Sequence, residues 1–157
     1  AMALVINFVP DPPQAIAEMN RVVSPGGTVA SYIWDFAGGR ATQSPLIKAI
    51  KDMGFDVPSV PRIEYSRLDK LCEMFETAGL ENVSEREIDI QIEYADFNDY
   101  WTSQIGLITP AVQPITTMSK EEVETLQASL RERLTVNEDG SIRYRAAVNA
   151  IMGTVAA

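Results

Sequence analysis

Hydrophobic positions in this chain run first in an unbroken stretch, then at helical spacing, then in strict alternation, and each change marks an element. Residues 3–9 (ALVINFV) form an apolar, β-branched run of the kind a strand buried on both faces requires. Asp11 follows as a helix cap with Pro12 and Pro13 in the first turn, where proline's missing N–H costs nothing. Ile16, Met19, Val22 and Val23 then share one helical face, and Ser24, Pro25, Gly26 and Gly27 stop the helix. Residues 28–34 (TVASYIW) read as a second buried strand. A strand-helix-strand unit with short joints is a right-handed parallel crossover, so the pattern predicts an α/β fold.

The next segments continue the alternation of helices and strands. After a glycine-marked loop (FAGGRAT), Ser44 is expected to cap a short helix with Pro45 in its first turn and Leu46, Ile47, Ile50 and Met53 inward. Ser66 is expected to begin a stronger helix with Leu68, Leu71, Cys72 and Phe75 on its apolar face and Gly79 at its end. Over residues 83–94, Ile88, Ile90, Ile92 and Tyr94 alternate with Glu87, Asp89, Gln91 and Glu93, which predicts a strand with one buried face.

Asp96 caps a helical piece bearing Phe97, Tyr100 and Trp101, and residues 105–117, interrupted by proline, read as a loop or broken helix. Ser119 and Glu122 form a capping box ahead of a stripe made by Val123, Leu126, Leu130 and Leu134. After a turn (NEDGS), residues 142–155 are a last strand with Ile142, Tyr144, Ala146, Val148, Ala150 and Met152 on one face. Arg143 and Arg145 alternate with that face, so antiparallel pairing with the preceding strand brings them opposite its acids.

Composition narrows the setting. At 157 residues and 46% apolar, the chain suffices for a single domain: 1–95 with the first strands and helices, 96–136 a helical insert, 137–157 the final strand. A net charge of −9 argues against nucleic acid and anionic membranes as partners. No apolar run is long enough to span a bilayer. The single Cys72 forms no internal disulfide, which points to a reducing cytoplasm.

Candidate chemistry is limited by the absence of histidine, which removes Ser-His-Asp and Cys-His nucleophiles and imidazole metal ligands. Cys72 falls on an apolar helix face and reads as a core thiol; one thiolate does not make a zinc site. Ligands of open α/β sheets bind at the C-terminal ends of parallel strands, here Asn7, Phe8 and Val9 on the first and Trp34, Asp35 and Phe36 on the second. Asn7 either satisfies backbone or contacts a ligand; Trp34 is either core or platform. Tyr100 and Trp101 either pack a helix on the sheet or line a pocket.

The words NFVPDP, AEMNRVVSPGG and TVASYIWDF resemble the region around the fourth and fifth strands of class I S-adenosylmethionine-dependent methyltransferases, in the small-molecule branch. The resemblance covers most of the chain but only the C-terminal half of that family's fold. It implies a partial Rossmann-like sheet of mixed parallel and antiparallel strands, in the family's order 4-5-7-6, with flanking helices and a helical insert before the last strand forming a lid.

The same resemblance puts Asn7 and Phe8 beside the cofactor, and Trp34, Asp35, Tyr100 and Trp101 beside the methyl acceptor. The family's glycine-rich cofactor turn has no counterpart here, since neither Gly26-Gly27 nor Gly38-Gly39 makes a G-x-G-x-x-G turn. The expectation is therefore a truncated methyltransferase-like protein that binds no cofactor alone, S-adenosylmethionine belonging to the full-length parent. The alternative is a non-catalytic α/β module that homo-oligomerises or binds an apolar ligand. A first strand without its neighbour leaves an apolar edge over residues 4–9, the expected site of a homodimer or larger assembly.

Overall fold

A computed structural model describes residues 1–107 and 109–157. In chain order the elements are β1 (Met2–Ala3), α1 (Pro12–Val22), β2 (Thr28–Trp34), α2 (Ser44–Asp52), α3 (Leu68–Thr77), β3 (Glu81–Tyr94), α4 (Phe97–Ile105), α5 (Lys120–Arg133) and β4 (Ile142–Thr154). Three 3-10 segments, Ile6–Phe8, Ile63–Ser66 and Pro110–Thr117, join them. The fold is mixed α/β, with a four-stranded sheet in the order β1-β2-β4-β3. β1 runs parallel to β2, and β4 runs antiparallel to β2. The last strand therefore sits between the second and third, the expected 4-5-7-6 arrangement, and the helical insert lies between β3 and β4 in the chain. Ile108, within the expected broken segment, lies outside the described residues.

Two compact units divide the chain. The first comprises Ala1–Ala41, Val60–Ile90 and Ala147–Ala157. Its core joins Val29 and Ile33 of β2 and Ile151 of β4 with Ile16 of α1 and Leu71, Met74 and Phe75 of α3. Gly153 lets β4 approach the chain around residue 80: a Cβ there would stand 3.0 Å from the Leu80 Cβ and 3.4 Å from Val83 Cγ2. The second unit comprises Thr42–Ser59 and Gln91–Ala146, with a core of Leu46 and Ile50 of α2, Tyr100 of α4, Leu126 and Leu130 of α5, and Ile142.

Local signals explain the helix starts. Asp11 accepts from the Gln14 amide at 3.0 Å, Asp96 from the Asp99 amide at 2.8 Å, and the Ser119/Glu122 capping box closes in both directions. Gln43, not Ser44, holds the cap position of α2, its side-chain oxygen accepting instead from Thr109 Oγ1.

Several expectations need correction. The run at 3–9 is a strand over Met2–Ala3 alone: Leu4 takes a left-handed backbone (φ 57°), and Ile6–Phe8 coil into a 3-10 turn that buries Ile6 and Asn7. An apolar run alone does not distinguish a strand from a tight turn driven into the core. The apolar edge expected over residues 4–9 is thereby replaced by that turn. β2 is not buried on both faces, since Thr28 and Tyr32 are exposed.

β3 buries no full face: Ile88 is 40% exposed and Ile90 and Ile92 are half-buried, as suits the last strand of the sheet. β4 was expected to bury one alternating set throughout, yet Met152 is exposed, and Asn149, Ile151 and Gly153 are buried in its second half. Ser66 ends the 3-10 turn that precedes α3 and does not start the helix.

Candidate functional site

In the first unit, the turn at residues 62–66 ties together the ends of three elements. Arg62 adopts a left-handed backbone (φ 47°), and its carbonyl accepts from Asn7 Nδ2 at 2.6 Å. Ser66, fully buried, donates its hydroxyl to the Ile63 carbonyl at 2.7 Å and accepts the Ala37 amide at 2.9 Å. The Ser66 carbonyl accepts from Asn149 Nδ2 at 2.7 Å. Buried polar groups persist where they find partners, and this turn supplies them to an amide in the turn after β1, to the loop after β2 and to an amide in β4.

The loop after β2 is held by charge. Asp35, 5% exposed, accepts the Gly38 amide at 2.9 Å through Oδ1 and the Arg40 Nε at 2.8 Å through Oδ2. Arg40 also grips Glu87 of β3 with both terminal nitrogens, one contact measuring 2.8 Å. Glu87 is held below its ordinary value, first by that hydrogen bond and then by the guanidinium charge. A Cβ on Gly38 would overlap the Asp35 carboxylate, so this glycine is required by the loop's own cap.

Of the residues marked from sequence, Asn7 and Asp35 end up linked through the 62–66 turn, Asn7 by Arg62 and the Asp35 loop by Ser66. Phe8 closes the 3-10 turn and is 58% exposed, and Trp34, half-buried, ends β2 opposite Val148. Tyr100 and Trp101 belong to the second unit. There Tyr100 is fully buried, edge-on to Tyr94 at 5.3 Å and to Tyr144 at 6.3 Å, while Trp101 packs partly buried on the same core.

Sequence reading passed over Arg40, Ser66 and Asn149. Asn149 carried the signal that singled out Asn7, an amide inside an apolar run (AAVNAIM). The pattern marks Ser66 as a helix start, not as an anchor between distant elements.

The chemistry on offer is hydrogen-bond acceptance. Asn7 Oδ1, Asn149 Oδ1 and Ser31 Oγ are buried without a hydrogen-bond partner among the described residues. Among those residues, no group of three or more His, Cys, Asp or Glu side chains is arranged to hold a metal ion. The two glycine pairs contribute to the chain's own turns. Gly26 and Gly27 close α1, bonding to Val155 and Ser24, and Gly38 wraps Asp35. No helix among the described residues is long and apolar enough to cross a membrane.

No family model matches the chain, and no curated protein matches it in sequence. Solved structures align with it. A Bacillus halodurans protein described as a methyltransferase aligns over 99% of this chain at 14% identity, with a TM-score of 0.46. The YcgJ protein of Bacillus subtilis aligns over 97% at 18% identity, with a TM-score of 0.49. Phosphoethanolamine N-methyltransferase 2 of Haemonchus contortus, bound to phosphomonomethylethanolamine and S-adenosylhomocysteine, aligns over 99% at 11% identity, with a TM-score of 0.44. The chain spans 62%, 61% and 32% of the lengths of these three proteins.

Proposed function

We propose that this chain is the acceptor-side, C-terminal part of an S-adenosylmethionine-dependent methyltransferase for a small molecule, and that it transfers no methyl group alone. The observation that carries the reading is the strand order β1-β2-β4-β3, with a final strand antiparallel to β2 and inserted ahead of β3. The family resemblance carried by NFVPDP and RVVSPGG implies the same order.

Methyl transfer asks chiefly for alignment of an acceptor with a sulfonium carbon, which is a task of positioning. Asn7, whose Oδ1 has no hydrogen-bond partner among the described residues, and Phe8 stand on the cofactor side in this reading, and Trp34 and Asp35 on the acceptor side. The glycine cradle comes from a segment outside the chain, because the glycines present serve the chain's own turns.

Calorimetric titration of the 157-residue chain with S-adenosylmethionine and S-adenosylhomocysteine tests the reading. No heat is expected for the chain alone, and micromolar binding would overturn that part. Coding DNA immediately upstream supplies the other arm. An in-frame strand followed by a glycine-rich turn is expected, and a genuine start site with nothing of the kind before it favours an independent binding module.

A further inference from the structure

Within the first unit, α1 and α3 flank a groove of about 450 Å³, the size of a small-ligand site. Met74 of α3 lines it and is 4% exposed, so its thioether forms the floor. Pro13 and Ala17 stand along one wall and Ala78 along the other, and the two alanines leave open the space that longer side chains would fill. The walls are tied together: Asn20 of α1 donates through Nδ2 to the Ala78 carbonyl at 2.8 Å.

Three polar groups face the same groove. Asp11 uses Oδ1 to accept the Gln14 amide, and its Oδ2 has no hydrogen-bond partner among the described residues. The side chains of Gln14 and Thr77 have none either among those residues. The charge here is negative and unbalanced. The only cation of α1, Arg21, is held by Glu18 at 2.8 Å, and the only cation of α3, Lys70, by Glu73 at 2.5 Å. An anion finds no donor at this helix start, because Pro12 and Pro13 have no N–H and the amides of Gln14 and Ala15 are both taken by Asp11.

We infer that this groove binds a small primary amine, with its ammonium at Asp11, Gln14 and Thr77 and its apolar body along Ala17 and Met74. An alkylammonium group has three N–H donors, and the carboxylate, amide and hydroxyl oxygens are three acceptors. The flexible, polarisable thioether adapts to an aliphatic chain laid over it. The inference stands on α1 and α3 and does not depend on the methyltransferase reading.

The probe is hexylammonium, titrated into the 157-residue chain without S-adenosylmethionine while the isotope-labelled methionine methyl groups are followed by nuclear magnetic resonance. Met74→Leu assigns the Met74 signal. A saturable shift of that signal is expected, with a dissociation constant of roughly 1 mM for a ligand of this size. Asp11→Asn keeps the helix cap, since asparagine caps as well as aspartate, and removes the charge; it should weaken binding roughly three- to fivefold. Ala17→Leu, at an exposed helix position, should fill the groove and abolish the shift. Far-ultraviolet circular dichroism verifies that both variants fold. Hexanoate, of the opposite charge, should not bind. Equal affinity of the wild type and Asp11→Asn overturns the inference, as does an affinity for hexanol equal to that for hexylammonium. Undiminished binding to Ala17→Leu also overturns it, by placing the ligand elsewhere. So does the lack of a Met74 shift up to about 10 mM.

Discussion

Asn149 Nδ2 donates a 2.7 Å hydrogen bond to the carbonyl of Ser66, 83 residues away, with both residues buried. That bond fixes the 62–66 turn against β4. Asn149→Leu keeps the volume and strands the carbonyl, a loss of about 1–3 kcal/mol of stability for an unsatisfied buried acceptor. Urea unfolding measures it. A loss under about 0.5 kcal/mol would mean that the turn finds another donor.

Arg40 makes the loop after β2 sensitive to acid. A carboxyl held below its ordinary value in the folded state stabilises the fold above that value and loses the contribution as pH falls through the lowered one. Glu87 is such a group, ordinarily near 4.5. Urea midpoints are therefore expected to fall on acidification below about pH 4.5, with Arg40→Gln flattening that decline. An equally steep decline in the variant would show that the pair is not responsible.

Cys72 is expected to be unreactive. Burial, and after it the hydrogen bond to Glu85, push its thiol up to about 12 from an ordinary 9.0. At pH 8 the thiolate fraction falls by roughly three orders of magnitude relative to an ordinary thiol. Iodoacetamide should therefore label the folded chain at least about a hundredfold more slowly than the urea-unfolded chain. Glu85→Gln should speed labelling, and equal rates in the folded and unfolded states would contradict the burial argument.

Tyr100 separates its ring from its hydroxyl. The ring is fully buried among Tyr94, Phe97 and Tyr144, while the hydroxyl has no hydrogen-bond partner among the described residues. Tyr100→Phe should then change stability by less than about 1 kcal/mol, and Tyr100→Ala should cost about 3–5 kcal/mol. Thermal and urea unfolding of the pair check this; a large loss for Phe would reveal a bond to the hydroxyl.

Much of the architecture was legible because it is written in local chemistry. Asp11, Asp96 and the Ser119/Glu122 box cap helices through contacts three residues apart, and such spacing survives in any tertiary context. The opposite-charge pairing of the last two strands also held where Arg143 meets Glu93 at 2.9 Å.

Features set by distant partners were not legible. Leu4 leaves the strand as the chain turns to bury Ile6 and Asn7, and the Asn7 amide is received by Arg62, 55 residues on. In β4 both alternating sets are apolar around 146–151, so the sequence does not reveal that the buried set changes from Ala146 and Val148 to Asn149 and Ile151. Asn7 and Asn149 both stand as polar interruptions of apolar runs, but their shared anchor, the 62–66 turn, was not visible, because Ser66 has the look of a helix start and Arg62 offers only its carbonyl.

Gly153 also has a consequence for how the sheet assembles. Strand pairing with apolar residues on both faces tolerates a slip of one residue, and β4 offers such a pattern along much of its length. A slip of that size would drive Met152 or Thr154 into the gap that leaves 3.0 Å between the Gly153 Cβ position and Leu80. One absent side chain thus acts as a proofreading notch, admitting the native alignment of β4 and rejecting its nearest competitors while the chain folds.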